Sequence, residues 1–230
     1  MTRLELEVVE RGGQPYQPVT LDVREVLLAG YTGRDRAGVM AHIEELADLG
    51  VAPPERVPMV YVVGPIVTTS PRLVVHASQT SGEVEFFLAP TPTGLLVGVG
   101  SDHTDREQEA IDVATSKRLC PKVVSRSVWR YADVEDHWDQ IEIRAWVTKD
   151  GERRLYQEGT LAAFMPVADL LAELERAGYP DLAGRLVFGG TLPALGGFVY
   201  GERFECELRD PLLDRRLACA YDVVVAQSGV

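Results

Sequence analysis

Three carboxylates near the middle of the chain have the spacing of a cation site. In Ser81-Gly82-Glu83-Val84-Glu85-Phe86-Phe87-Leu88, acidic and apolar residues alternate, the pattern of a strand whose successive side chains point to opposite faces. Glu83 and Glu85 therefore share a face, about 7 Å apart along the strand, near enough to reach one ion and costly to bury together without one. A second apolar strand, residues 95–99, can fold back antiparallel and deliver Asp102 to the same end. Three acids with no matching Cys or His cluster point to a hard divalent cation bound through oxygen. Solvated strands also alternate acid and apolar residue, so the spacing by itself leaves both an ion site and a wet face open.

Other residues could carry proton transfer or bind a substrate. His42 and Glu45 lie three apart on a predicted helix over residues 37–48 and so share a face. They are either an acid/base pair, with Glu45 orienting the imidazole, or part of an ordinary polar helix side. Gly189-Gly190-Thr191 offers backbone amides and a hydroxyl where a strand ends, fit for a carbonyl or carboxylate, or else forms only a turn. The chain has only three lysines, Lys117, Lys122 and Lys149, which makes the placing of Lys117 beyond the acids notable. His76, His103 and His137 have no spacing that points to a His-based metal site, and no phosphate-binding glycine loop opens a helix.

The elements that must position these residues are many short strands and about three helices. Alternation predicts a first strand from Leu4, residues 26–29 read as a short buried strand, and Pro53, Pro54, Pro58 and Pro65 leave room for another short strand over 59–63. Thr104, with Glu107 three later, has the form of a capping box and predicts one helix from Thr104 to about Lys117. Strand 140–147 turns at Lys149-Asp150-Gly151, Pro166 opens a helix, and two strands after residue 201 flank Asp210-Pro211. This uneven order predicts an α+β, β-rich chain with mainly antiparallel, mixed sheets rather than βα repeats.

Bulk composition narrows the classes of function. The 230 residues are expected to form one domain, 1–230, with about 1–60 making an N-terminal strand and a lid part. Thirty-five acids against 23 bases give a net charge of -12, which argues against a nucleic-acid or anionic-membrane surface. Cys120, Cys206 and Cys219 are too few and scattered for a disulfide framework or zinc site. The start of the chain lacks a signal-peptide pattern and no apolar run is long enough to span a bilayer, so a cytoplasmic protein is expected.

Taken together and in order, these motifs resemble the fumarylacetoacetate hydrolase superfamily, in a divergent and functionally uncharacterised branch. Gly33-Arg34 with His42-Ile43-Glu44-Glu45 is similar to the family's lid segment, whose His and Glu form an acid/base dyad. Glu83-Val84-Glu85 resembles its metal-binding Glu-x-Glu, and the segment from Asp102 to Glu107 resembles the motif whose first Asp is the third ligand. Ser116-Lys117 matches the site lysine and Gly190-Thr191 the Gly-Thr that contacts substrate. The interval from Glu85 to Asp102 is shorter than the family's, Leu192 stands before Pro193 where Pro commonly follows the Gly-Thr directly, and His137-Trp138-Asp139 looks specific to this branch.

The resemblance implies a mixed-sheet roll of the fumarylacetoacetase C-terminal-domain type with peripheral helices, usually a homodimer. It implies Mg²⁺ or Mn²⁺, with Ca²⁺ a further candidate, held by Glu83, Glu85 and Asp102. Substrate would be a small oxo acid or 1,3-dicarbonyl acid, contacted by Arg34, Lys117, Gly190 and Thr191, with His42, Glu45 and Lys117 catalytic. The implied chemistry is metal-assisted C–C hydrolysis through an enolate; decarboxylation, hydration, isomerisation, or binding without turnover are the alternatives.

Overall fold

A computed structural model of the chain describes residues 1–12, 16–48 and 53–226. Its centre is the hairpin of Val84–Thr91 and Gly94–Ser101, paired antiparallel in continuous register from Val84 opposite Ser101 to Thr91 opposite Gly94. Both strands are buried on both sides over most of their length. Strict alternation sends Phe86 and Leu88 into one apolar cluster and Phe87 and Ala89 into another. Each fully buried Phe or Leu contributes about 2 kcal/mol, so the hairpin is anchored from two directions.

A ten-stranded mixed sheet extends from this hairpin. On one side Ser127–Arg130 connects it to Thr2–Val9 and then Tyr16–Val23; on the other, Arg185–Thr191 connects it to Glu25–Gly30 and Met59–Val63. The three strands before residue 31 are thus built into the sheet, Thr2–Val9 lying parallel to Ser127–Arg130 and Glu25–Gly30 parallel to Arg185–Thr191. Lys122–Val124 bridges Gly94–Ser101 and Val67–Thr68 at the end where the acids lie.

A second sheet of five strands has Glu142–Lys149 and Arg203–Asp210 at its middle. Its inward residues Ile143, Ala145, Val147, Phe204 and Leu208 join Phe86, Val97 and Val99 in the larger cluster. The α+β, β-rich expectation holds, with helices at the periphery: Arg36–Asp48, two short ones before residue 120, and Val167–Arg176. The last starts after Pro166 and buries Val167, Leu170 and Leu174, while Leu171 of the same apolar set is only partly buried.

The single helix expected from Thr104 to Lys117 does not form. Thr104–Asp105 is instead a short strand paired with Thr80–Ser81, and two helices follow, Arg106–Glu109 and Val113–Leu119. Asp105 caps the first by accepting from Gln108 N, and Asp112 caps the second by accepting from Ala114 N and Thr115 N. The capping-box spacing was real as a local signal, but cross-strand pairing of a buried Thr104 outweighs it. His137-Trp138-Asp139 packs into the fold through its side chains. His137 pairs with the buried Asp210 at 3.0 Å, and Trp138 packs edge-on against Phe86 and Tyr131.

Candidate functional site

Strand geometry brings the three acids together. Glu85 is opposite Gly100 in the hairpin, and Asp102 N donates to Glu83 O at 3.0 Å, so the pairing continues one step past the strand ends. Residues of one parity on each strand share a face, which puts Glu83, Glu85 and Asp102 on the same one. Their carboxylates each offer an oxygen within 4.8 Å of the others.

The break at residues 110–112 then turns Val113–Leu119 back over the acids. Lys117 Nζ lies 2.6 Å from Glu83 Oε2, 2.8 Å from Asp102 Oδ2 and 3.6 Å from Glu109 Oε1. It also donates to Thr104 Oγ1 at 3.1 Å. Burial alone would lower the Lys117 pKa, but Asp102, Glu83 and Glu109 outweigh it and hold the ammonium charged. Behind Asp102, the wholly buried Lys122 places Nζ 2.7 Å from Oδ1 and donates to His103 O at 2.8 Å.

The acids differ in their compensation. Burial would push Asp102 up, yet Lys117 and Lys122 bring it down to about 2. Burial is likewise overcome at Glu83, by Lys117 and then by Arg106, whose Nη1 is 3.2 Å from Glu83 Oε1. Glu85 goes the other way. Burial, then Asp102 and Glu83, push it well above the carboxylate range, and Lys117 with the Gly190 N–H offsets this only in part. Among the described residues no cation is paired with Glu85, whose Oε2 accepts from Gly190 N at 2.7 Å. Asp102, by contrast, has an ammonium on each oxygen, Lys122 on Oδ1 at 2.7 Å and Lys117 on Oδ2 at 2.8 Å. An all-oxygen set with one uncompensated carboxylate fits a hard divalent cation.

The segment after Phe188 supports the ligands. Gly190 has φ +100, and a Cβ there would lie 2.1 Å from Thr32 Oγ1. A Cβ on Gly189 would meet the Phe86 ring at 2.0 Å. This irregular end of Arg185–Thr191 lets the Gly190 amide face Glu85. Thr191 Oγ1 donates to Val84 O at 2.8 Å and accepts from Gln157 Nε2 at 2.8 Å, while Gln157 Oε1 accepts from Val84 N at 2.9 Å. Both donors expected to meet substrate are thus engaged with the strand that carries the acids.

A cavity of about 880 Å³ opens above this floor. Glu83, Glu85, Asp102, Lys117, Gly190 and Thr191 all line it. Arg34 does not; its guanidinium is bidentate to Asp139 at 2.6 and 2.7 Å and donates to Phe164 O at 3.0 Å. Helix Arg36–Asp48 borders the cavity through Gly38 and Val39. His42 and Glu45 belong to this helix, and their side chains lie outside the described residues. The sequence assigns no site role to Arg106, although it lies in the Asp102 to Glu107 motif, or to Lys122, named only for its rarity, and gives no sign of Gln157 or Phe198. Phe198 stacks on the Arg106 guanidinium at 4.1 Å. One signal was available: Lys122 is a rare lysine placed before an apolar pair, Val123-Val124.

No helix among the described residues is long and apolar enough to cross a membrane. No curated protein matches the chain by sequence. Solved structures do match by shape. A protein provisionally assigned to the fumarylacetoacetate hydrolase family, from Yersinia pestis CO92, superposes with TM-score 0.62 at 16% identity over 95% of this chain and 100% of its own. A provisionally assigned fumarylpyruvate hydrolase from Burkholderia cenocepacia gives 0.60 at 19% identity, over 99% and 97%. The apo form of 2-keto-3-deoxy-D-arabinonate dehydratase gives 0.64 at 13% identity, over 94% and 79%. These likenesses establish the fumarylacetoacetate hydrolase fold expected from the motifs. By sequence, residues 29–221 match the family described as protein of unknown function DUF2848, and the chain belongs to that family.

Proposed function

We propose that the chain is a divalent-metal-dependent enzyme that hydrolyses a carbon–carbon bond of a small oxo acid or 1,3-dicarbonyl acid through an enolate. The observation carrying this is the meeting of Glu83, Glu85 and Asp102 within 4.8 Å on a cavity floor where, among the described residues, Glu85 has no cation of its own. Mg²⁺ or Mn²⁺ suits three carboxylate oxygens, with Ca²⁺ a further candidate. When bound, the ion supplies Lewis-acid stabilisation of negative charge developing on the substrate's oxo oxygen.

The protein's own groups supply position and charge. Lys117 presents a fixed ammonium to the carboxylate or enolate end of the substrate. Gly190 and Thr191 hold Glu85 and Val84 in place, and Thr191 reaches substrate by redirecting its hydroxyl from Val84 O. His42 with Glu45 is the proposed pair that takes the proton from attacking water, on a helix that borders the cavity. Arg34 steadies the start of that helix through Asp139. Similarity in shape to a dehydratase favours loss of water from a 2-oxo acid as the second reading, since it too passes through an enolate.

Calorimetric titration of Mn²⁺ into wild type and a Glu83→Gln, Glu85→Gln double variant tests the centre. Loss of binding in the variant is expected; unchanged affinity removes the metal reading. Acylpyruvates, 2-oxo-3-deoxy acids and oxaloacetate are then screened with Mn²⁺, wild type beside His42→Ala. Pyruvate plus a second carboxylic acid identifies hydrolysis, and full activity of His42→Ala eliminates the proposed proton-transfer pair.

A further inference from the structure

The floor and the walls of the cavity differ in character. At the floor, Lys117, Lys122 and Arg106 pair with Glu83, Asp102 and Glu109, and Glu85, which has no cation among the described residues, becomes a fourth negative charge once it gives up its proton to bind an ion. Four negative charges against three leave one in excess. A divalent cation converts this to one excess positive charge, which a single substrate carboxylate neutralises. Beyond the floor the lining is mainly apolar, with Leu28, Val39, Phe164, Leu192 and Phe198, and its polar groups there, the hydroxyls of Tyr31, Thr32 and Tyr61, are uncharged. Among the described lining residues, the one charged group away from the floor is Asp35, an acid. The cation expected to help there, Arg34, is turned away to Asp139.

We propose that the cavity selects a 2-oxo monocarboxylate with an uncharged, apolar tail and rejects a second, distal carboxylate. This rests on the proposed function, whose metal and 2-oxo group fix the polar end at the floor. The tail then runs along Leu192 and Phe198 toward the rim, where Phe198 also shields the Arg106 guanidinium. Each methylene buried there is expected to tighten binding about three- to fourfold. A distal carboxylate would lose its hydration against apolar walls and approach Asp35, with no cation among the described lining residues there to receive it, for a loss of about tenfold or more.

The test uses the whole protein with MnCl₂ and calorimetric binding of 2-oxobutanoate, 2-oxohexanoate, 2-oxooctanoate and 2-oxoadipate. Affinity is expected to rise about threefold per methylene through the monocarboxylates, with 2-oxoadipate at least about tenfold weaker than 2-oxohexanoate. Equal or tighter binding of 2-oxoadipate, or no dependence on chain length, overturns the inference while leaving the metal site standing. Failure of Mn²⁺ itself to bind, or of every 2-oxo acid, overturns the proposed function and this inference together. An Asp35→Lys variant, with Mn²⁺ affinity read alongside, is expected to improve 2-oxoadipate binding about tenfold. No improvement would show that Asp35 is not part of the selection. Phe198→Ser should weaken 2-oxooctanoate more than 2-oxobutanoate; equal effects on both would remove Phe198 from the tail path.

Discussion

Glu85 is the acid whose charge the protein alone does not balance, so its replacement separates stability from ion binding. With its folded pKa raised, Glu85 favours the folded state most when protonated, and that advantage is lost as pH rises through the folded value. Glu85→Gln keeps an acceptor for Gly190 N and removes the buried charge. The metal-free variant should melt higher than wild type at pH 7 to 8 while its Mn²⁺ affinity collapses, which paired melting curves and titrations would show. Asp102 has the opposite sign. Held at about 2 by Lys117 and Lys122 against burial, it contributes stability that is complete above its ordinary 3.8 and lost as pH falls toward about 2. Lys122→Met breaks a fully buried pair and should cost about 3 kcal/mol in urea unfolding at pH 7, a deficit that narrows over that acidic range. The acids were legible because alternation and a hairpin are periodic signals. The cations opposing them were legible only in part: a buried Lys such as Lys122 has no period, and its partner becomes known only when Lys122–Val124 pairs beside Ser101.

At the level of elements, the site depends on two departures from regularity. The first is the interruption between Arg106–Glu109 and Val113–Leu119, without which Lys117 would point along a helix rather than back to Asp102. Asp105→Ala removes the first cap, with an expected loss of about 1 kcal/mol and a weaker Mn²⁺ titration because the turn is no longer fixed. The second is the left-handed Gly190. Gly190→Ala strains the backbone and drives a methyl into Thr32, so Glu85 should lose its amide donor and Mn²⁺ affinity should fall at least tenfold. The alternating first strand Thr2–Val9, the apolar run Met59–Val63 bounded by prolines, and the Pro166 helix start can be read directly from sequence. Thr104 could not, because its capping-box spacing and its strand pairing with Ser81 compete, and only long-range packing decides between them. His137 was equally opaque: its partner Asp210 is remote in sequence.

For the whole molecule, the centre sits where the hairpin of the ten-stranded sheet meets helices and the edge of the second sheet, so ion binding and global stability are linked. An ion at 100 times its Kd should add about 2.7 kcal/mol and raise Tm by roughly 5–10 °C for a chain of this size. A calorimetric scan with and without Mn²⁺ checks this, and the shift should vanish in the Glu83→Gln, Glu85→Gln protein. Between those two acids, Val84 has its N–H bound by Gln157 Oε1 and its carbonyl by Thr191 Oγ1. Side chains from two other strands thus take the Val84 backbone groups where the register of Arg185–Thr191 shifts. The Val84 amide is therefore a built-in gauge: its deuterium exchange should be slow in the intact protein, slower still with Mn²⁺, and selectively faster in Gln157→Leu while amides deeper in the hairpin keep their protection.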